Sequence, residues 1–224
     1  MSLLSTITTL IVAFSTVCVL RILFIFKRGH CRSKRAASDT CGLAVFLGSG
    51  GHTTEALALV SALDFSRYNP RTYIISDGDN LSAQKAHELE ERKSERNRES
   101  NYTIIYVPRA RRVHQPLWTT PPTVLASLVT CVKHAIHAAL QPEPVWDILI
   151  LNGPGTCFSI CTAVYLNRFL GLASPRILYI ESFARVRSLS LSGRLLRPFV
   201  DRFIVQWPEV LQEGGRSQYF GCLV

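Results

Sequence analysis

No Cys-x-x-Cys pair occurs in this sequence, although it contains seven cysteines. The spacing of a thiolate metal site or a redox dithiol is therefore missing, and an odd number of thiols cannot pair completely within one chain. Reduced thiols packing as small apolar groups are the simplest expectation. Cys157 and Cys161, four apart on a predicted helix, share a face suited to metal ligands, but no second His/Cys pair accompanies them. Length for two full domains is also lacking: 224 residues hold one ordinary α/β domain once a membrane-length segment is set aside. Hydrophobic residues make up 47% of the chain, which excludes a disordered protein and suggests a well-buried core.

Between Met1 and Leu20 no side chain is charged. Leu3 to Phe26 is apolar apart from Thr, Ser and Arg21, and at about 1.5 Å per residue it reaches roughly 36 Å, against about 30 Å of bilayer hydrocarbon. Arg21 is expected to snorkel to the headgroups. A cleaved signal peptide is the competing reading, but the positive charges follow the apolar run and no small-residue cleavage site is present. Arg21, Lys27, Arg28, Arg32, Lys34 and Arg35 have no acid among them, and taking those six from the net charge of +9 leaves +3 for the remainder. The basicity is thus a membrane flank, and no nucleic-acid partner is implied. Positive charge after the apolar run places the rest of the chain in the cytosol, where thiols stay reduced. The expected organisation is a transmembrane anchor over residues 1–27, a basic linker over 28–41 and one domain over 42–224.

Gly42 to Leu47 is a short apolar run closed by glycines, which predicts a buried first strand. Arg71 to Ser76, Tyr102 to Val107, Asp147 to Leu151, Arg176 to Ile180 and Arg202 to Val205 repeat that signal, with helical stretches between most of them. Strands alternating with helices predict an α/β fold, a Rossmann-like parallel sheet wound on both faces. Lys85 to Glu99 mixes charges of both signs and predicts a solvated helix with a loose end. Thr119 to Ala139 is apolar over most of its length and predicts a helix packed on the sheet, part of which is suited to touch a bilayer.

The unusual residues follow strands, where an open parallel sheet forms its ligand crevice. Gly48, Ser49, Gly50, Gly51 and His52 lie between a strand and a helix, where backbone N–H groups can approach a phosphate. They match a dinucleotide fingerprint only partly: Thr53 replaces the last glycine, and Asp77 falls beyond the ~20-residue spacing of the ribose-binding acid. A nicotinamide oxidoreductase and a tight turn without ligand both stay open on these residues alone. His52 adds an imidazole just before a helix, so it is a candidate general base or a hydrogen-bonding support for its loop. Asn152, Gly153 and Gly155 form a second glycine loop, with Thr156 as the expected helix cap. Glu181, Ser182 and Arg185 emerge together from a later strand, able to pair with each other or to bind sugar and diphosphate.

Taken in order, GSGGHT, the Asp79, Ser82 and Lys85 triplet, PRARRVHQ, NGPGTC, YIESFARV with SLSLSG, FIVQWP and the terminal YFGCLV resemble the membrane-anchor subunit of the eukaryotic UDP-N-acetylglucosamine transferase of dolichol-linked oligosaccharide assembly. The resemblance covers essentially the whole chain. It implies the amino-terminal half of a GT-B glycosyltransferase split over two chains, similar to the corresponding half of the bacterial enzyme that makes the lipid-linked peptidoglycan precursor. It further implies a soluble UDP-GlcNAc-binding partner subunit (Alg thirteen family) and a dolichol-linked acceptor. The GlcNAc-1-phosphate transferase of the preceding step is a further implied partner. The location implied is the endoplasmic reticulum membrane, with the nuclear membrane as a further one. The reaction implied is inverting transfer of the second GlcNAc to GlcNAc-diphosphodolichol, without metal or cofactor and without activity in the isolated chain.

On that basis His52 and Glu181 are the catalytic candidates. Gly48, Ser49, Gly50, Gly51, Thr53, Arg109, Asn152, Gly153, Gly155, Ser182 and Arg185 are the acceptor- and phosphate-binding candidates. Tyr219 to Val224 is either a partner-docking surface or a terminal strand on the sheet. A non-catalytic membrane scaffold is the alternative from another functional class; it has no need of the two glycine loops.

Overall fold

The computed structural model describes residues 3–28, 39–94, 101–111, 115–142, 145–153, 155–211 and 217–224. Arg32, Lys34 and Arg35 of the expected linker, residues 95–99 of the charged stretch, Arg112 and Pro154 lie outside the described residues. The strands are β1 (Leu43–Leu47), β2 (Arg71–Ser76), β3 (Tyr102–Val107), β4 (Ile148–Asn152), β5 (Arg176–Ile180), β6 (Arg202–Val205) and β7 (Ser217–Tyr219). The helices are α1 (Leu3–Arg28), α2 (Gly51–Ser61), α3 (Asn80–Ser94), α4 (Thr120–Ala139), α5 (Thr156–Leu170) and α6 (Leu191–Leu196).

One seven-stranded sheet runs in the order β3-β2-β1-β4-β5-β6-β7, and every neighbouring pair is parallel. The alternation of side chains along β1 shows why the sheet needs helices on both faces. Leu43, Val45 and Leu47 pack with Ala56, Leu57 and Val60 of α2. Ala44 and Phe46 point the other way, into a core shared with α4 and α5 through Cys131, Ala135, Cys157 and Ile160. Burying each large apolar side chain contributes roughly 1.5–3 kcal/mol, so a strand apolar on both faces is stable only between two helical layers. The winding reverses between β1 and β4, whose carboxyl ends therefore open a crevice at the middle of the sheet.

The charged stretch after Lys85 is less solvated than its composition suggests, because α3 turns Glu90 fully inward. Arg71 of β2 meets it with a forked pair of bonds, Nε to Oε1 at 2.7 Å and Nη2 to Oε2 at 2.9 Å. Arg71 Nη1 also donates to the carbonyls of Phe65 and Tyr68, and Tyr73 Oη donates to Glu90 Oε1 at 2.7 Å. Burial and the Glu90 carboxylate both push the Tyr73 hydroxyl pKa upward.

Ser5–Phe26 of α1 is long and apolar enough to cross a membrane, and its most apolar window has no buried residue. Arg21 also finds partners in the domain. Its Nε donates to the Phe169 carbonyl and its Nη2 to the Arg168 carbonyl, both at 3.1 Å. A cation is favoured there because the last carbonyls of a helix are unpaired and carry the negative end of its dipole. Phe26 continues the contact beside Tyr165 and Phe199, with ring centroids 5.7 and 5.9 Å away.

Cys131, Cys157 and Cys161 are buried apolar packing groups. Desolvation raises all three thiols, Cys131 and Cys161 to about 12.

Candidate active site

Both glycine loops lie at the β1/β4 crevice, one after each strand. Ser49 has φ 64° and Gly50 has φ 57°, so the chain leaves β1 through two left-handed residues, the first of them not a glycine. Such a backbone costs of order 1–3 kcal/mol and persists only where the surroundings enforce it. It brings α2 in with Gly50 as its N-cap and no side chain capping its first N–H groups. The second loop corrects one expectation, since the cap of α5 is Gly155 and again no side chain caps the helix. Thr156 is instead the first helical residue, and its hydroxyl accepts from the Ala110 N–H at 3.3 Å. Two helix starts with bare N–H groups thus face one crevice, the arrangement that suits an anion.

Half-buried His52, on the first turn of α2, shares a 2.8 Å hydrogen bond between Nδ1 and Asn152 Oδ1. Asn152 in turn donates from Nδ2 to Glu55 Oε2 at 3.0 Å. Glu55 also accepts from Ser182 Oγ at 2.8 Å and from the Phe183 N–H at 3.3 Å. Among the described residues His52 Nε2 has no hydrogen-bond partner. One helix turn and the ends of β4 and β5 are thereby tied into one polar chain that stops at an imidazole nitrogen.

Glu55 is the residue that sequence reasoning missed. Its signal was present, because residues three apart in a helix share a face and Glu55 stands one turn beyond His52. What sequence lacked was any sign that two other strands deliver partners to it.

The structure changes the role of Glu181. Its side chain is 2% exposed and turned away from solvent. Oε2 accepts from the Ser190 N–H and Oγ, each at 3.0 Å, and Oε1 accepts from the Ser182 N–H at 3.2 Å. A Cβ on Gly193 would collide with Oε2, so α6 sits tightly over this carboxylate. Glu181 therefore braces the start of α6, with its carboxylate oxygens engaged by Ser182 and Ser190. It forms no ion pair with Arg185 among the described residues; Arg185 is exposed on the turn after β5. Asn152 and Ser182 likewise spend their side chains on His52 and Glu55, where ligand contacts were expected.

Arg109 stands at the rim, 4.0 Å from Asp79, and Asp79 accepts from Ser82 Oγ at 2.8 Å. Buried Thr53 and Ser82 share a 2.7 Å bond between their hydroxyls, so Thr53 links α2 to α3 and does not reach outward. A cleft of about 500 Å³ runs outward from Gly48 and Ser49, past Arg109 and Thr156, to a wall that includes Phe158 and Leu195. Its polar end lies at the glycine loops and its apolar wall is partly exposed. A larger groove of about 700 Å³ lies between α2 and α3, lined by Thr54, Lys85 and Arg92, on the flank of the sheet and away from the strand ends.

Residues 43–223 match the family model described as "Oligosaccharide biosynthesis protein Alg14 like". The chain belongs to the Alg14 family. It is 46% identical over 195 residues to a UDP-N-acetylglucosamine transferase subunit ALG14 of Cryptococcus neoformans var. neoformans serotype D, covering 85% of each chain. The proteins of that name from Schizosaccharomyces pombe and Mus musculus are 41% and 39% identical, with 90% and 83% of this chain covered, and 92% and 84% of theirs. The fold is shared with MurG of Acinetobacter baumannii, whose crystal structure superposes with a TM-score of 0.51 at 15% identity. That match covers 80% of this chain and 45% of the MurG chain. An Alg14-family chain is thus the size of roughly one half of a GT-B enzyme, and its relatives carry the name of a transferase subunit.

Proposed function

We propose that this chain is the anchor and acceptor-binding half of an inverting two-chain transferase, adding the second GlcNAc from UDP-GlcNAc to GlcNAc-diphosphodolichol. The observation that carries the reading is His52 on the first turn of α2, beside the end of β4, with Nδ1 held by Asn152 and no hydrogen-bond partner for Nε2 among the described residues. The sugar nucleotide belongs to a soluble partner subunit of the Alg thirteen family, a division supported by the match to less than half of MurG. Alone, the chain is inactive.

The chemistry is an in-line displacement. The acceptor hydroxyl oxygen attacks the anomeric carbon as its proton passes to His52 Nε2. The carbon–oxygen bond to the diphosphate breaks, and its electron pair leaves with UDP. Such a base contributes about 10²–10⁴-fold. The acceptor's diphosphate meets the N–H groups of Gly50, Gly51 and Gly155, with Arg109 or Arg185 adding charge. The first isoprene units follow the apolar wall of the cleft.

α1 holds the domain at the endoplasmic reticulum membrane with the crevice on the cytosolic side, recruits the soluble subunit there, and keeps the acceptor's membrane within reach. The basic flank supports that orientation. Transfer of GlcNAc to a lipid-diphosphate GlcNAc, assayed with the chain expressed alone, with the partner subunit, and with a His52→Ala variant, tests the reading. Activity is expected only with both parental subunits. No transfer by the complete pair refutes the acceptor assignment, and near-parental kcat in His52→Ala removes the base.

A further inference from the structure

We propose that Glu55, acting through Asn152, holds the His52 imidazole in the tautomer with Nε2 bare, and is thereby a positioning residue for the proton transfer. The proposal rests on the reading of His52 as the general base.

The argument is one of donors and acceptors. A carboxylate can only accept, so the Asn152 atom facing Glu55 Oε2 at 3.0 Å is the amide nitrogen. The oxygen of that amide then faces His52 Nδ1 at 2.8 Å and can only accept, so Nδ1 carries the proton. A neutral imidazole has one N–H, and Nε2 is left with its lone pair. The direction of the whole chain is set at Glu55, and Glu55 is itself fixed from two sides. Ser182 Oγ donates to Oε1 and the Phe183 N–H to Oε2, both from the end of β5. After Nε2 takes the acceptor's proton, the imidazolium keeps its Nδ1–H bond to Asn152. The negative charge of Glu55, relayed through the amide dipole, favours that cation.

This arrangement predicts an unusual rescue. In Glu55→Ala the Asn152 amide has no carboxylate to hold its nitrogen and is free to turn, so His52 Nδ1 loses its fixed acceptor. In Glu55→Ala combined with Asn152→Asp, the new carboxylate can only accept, and it fixes Nδ1–H without help from residue 55. Asn152→Asp alone sets two carboxylates side by side.

The test uses the full chain co-purified with its partner subunit. Glu55→Ala is expected to lower kcat by ~10²-fold with the UDP-GlcNAc KM within about twofold. The double variant Glu55→Ala with Asn152→Asp is expected to recover at least about tenfold of that loss, which a purely structural Glu55 has no means to produce. Ring ¹⁵N shifts of His52 in the parental chain are expected to show Nδ1 protonated and Nε2 bare. Near-parental kcat in Glu55→Ala, a double variant no faster than Glu55→Ala, or the reverse tautomer overturns the proposal. His52→Ala separates the two readings: if it stays active the base assignment itself falls, and if it is inactive while Glu55→Ala stays active only the positioning role falls.

Discussion

Gly153 leaves no room for a side chain beside His52: a Cβ built on it would lie 3.3 Å from His52 Cγ and 3.5 Å from Gly48 Cα. Gly153 also has φ 131°, a conformation that side chains avoid. The two glycine loops thus run close together, with His52 beside Gly153. Gly153→Ala is expected to displace the His52 ring and strain the loop by about 1–3 kcal/mol. Steady-state kinetics of the assembled enzyme should show kcat reduced roughly tenfold or more, because reacting groups tolerate little misplacement. Unchanged kcat would mean that His52 is not held by this contact.

Arg71 and Glu90 form a buried, doubly hydrogen-bonded ion pair, and removing one partner strands the other's charge. Glu90→Gln is expected to lower stability by about 3–5 kcal/mol. Thermal unfolding of the full chain in detergent checks this: at roughly 2–4 °C per kcal/mol for a domain of this size, the variant should melt at least about 6 °C below the parent.

Arg21 separates attachment from orientation. Arg21→Ala leaves the apolar length of α1 unchanged, so membrane retention after alkaline carbonate washing is expected to equal that of the parent. The Phe169 and Arg168 carbonyls lose the Arg21 guanidinium, Arg168 keeping only the Gly171 N–H, and the last turn of α5 should exchange its amide hydrogens faster. Unaltered exchange at Gly171 and Leu172 would mean that α1 is not latched to the domain by this residue.

Thiol reactivity follows burial. With Cys131 and Cys161 held at about 12, their thiolate fraction at pH 8 is about 10⁻⁴, burial raises Cys157 as well, and access adds a second barrier. A maleimide at pH 8 is expected to label exposed Cys222 quickly and these three only after denaturant. Early labelling of Cys157, read by peptide mass, would contradict the packing of α5.

The carboxyl terminus resolves into two parts. Ser217–Tyr219 completes the sheet beside β6, and Leu223 N–H donates to Gln206 Oε1 at 3.2 Å, while Phe220 and Val224 stay exposed. The terminal-strand expectation is met only as far as Tyr219, and the residues after it leave the sheet.

The sequence by itself determined the strands from β1 to β6 to within a residue, because a strand buried on both faces must be a short continuous apolar run and each is bounded by polar or glycine punctuation. The membrane-length helix followed equally from the lack of charge before Arg21. The two glycine loops were legible because small residues after a strand have few other uses. Direction and partnership were decided only by the tertiary structure. Glu181 and Glu55 are both carboxylates near strand ends or helix starts, and nothing local separates them. The collision space at Gly193 turns Glu181 inward beneath α6, whereas Ser182, Phe183 and Asn152, up to 128 residues away in sequence, converge on Glu55. That Arg21 reaches the last carbonyls of α5, about 150 residues away in sequence, is likewise visible only once the two helices meet. Hydrogen-bond direction is a property of groups brought together by the fold, and a linear pattern carries the groups without their meeting.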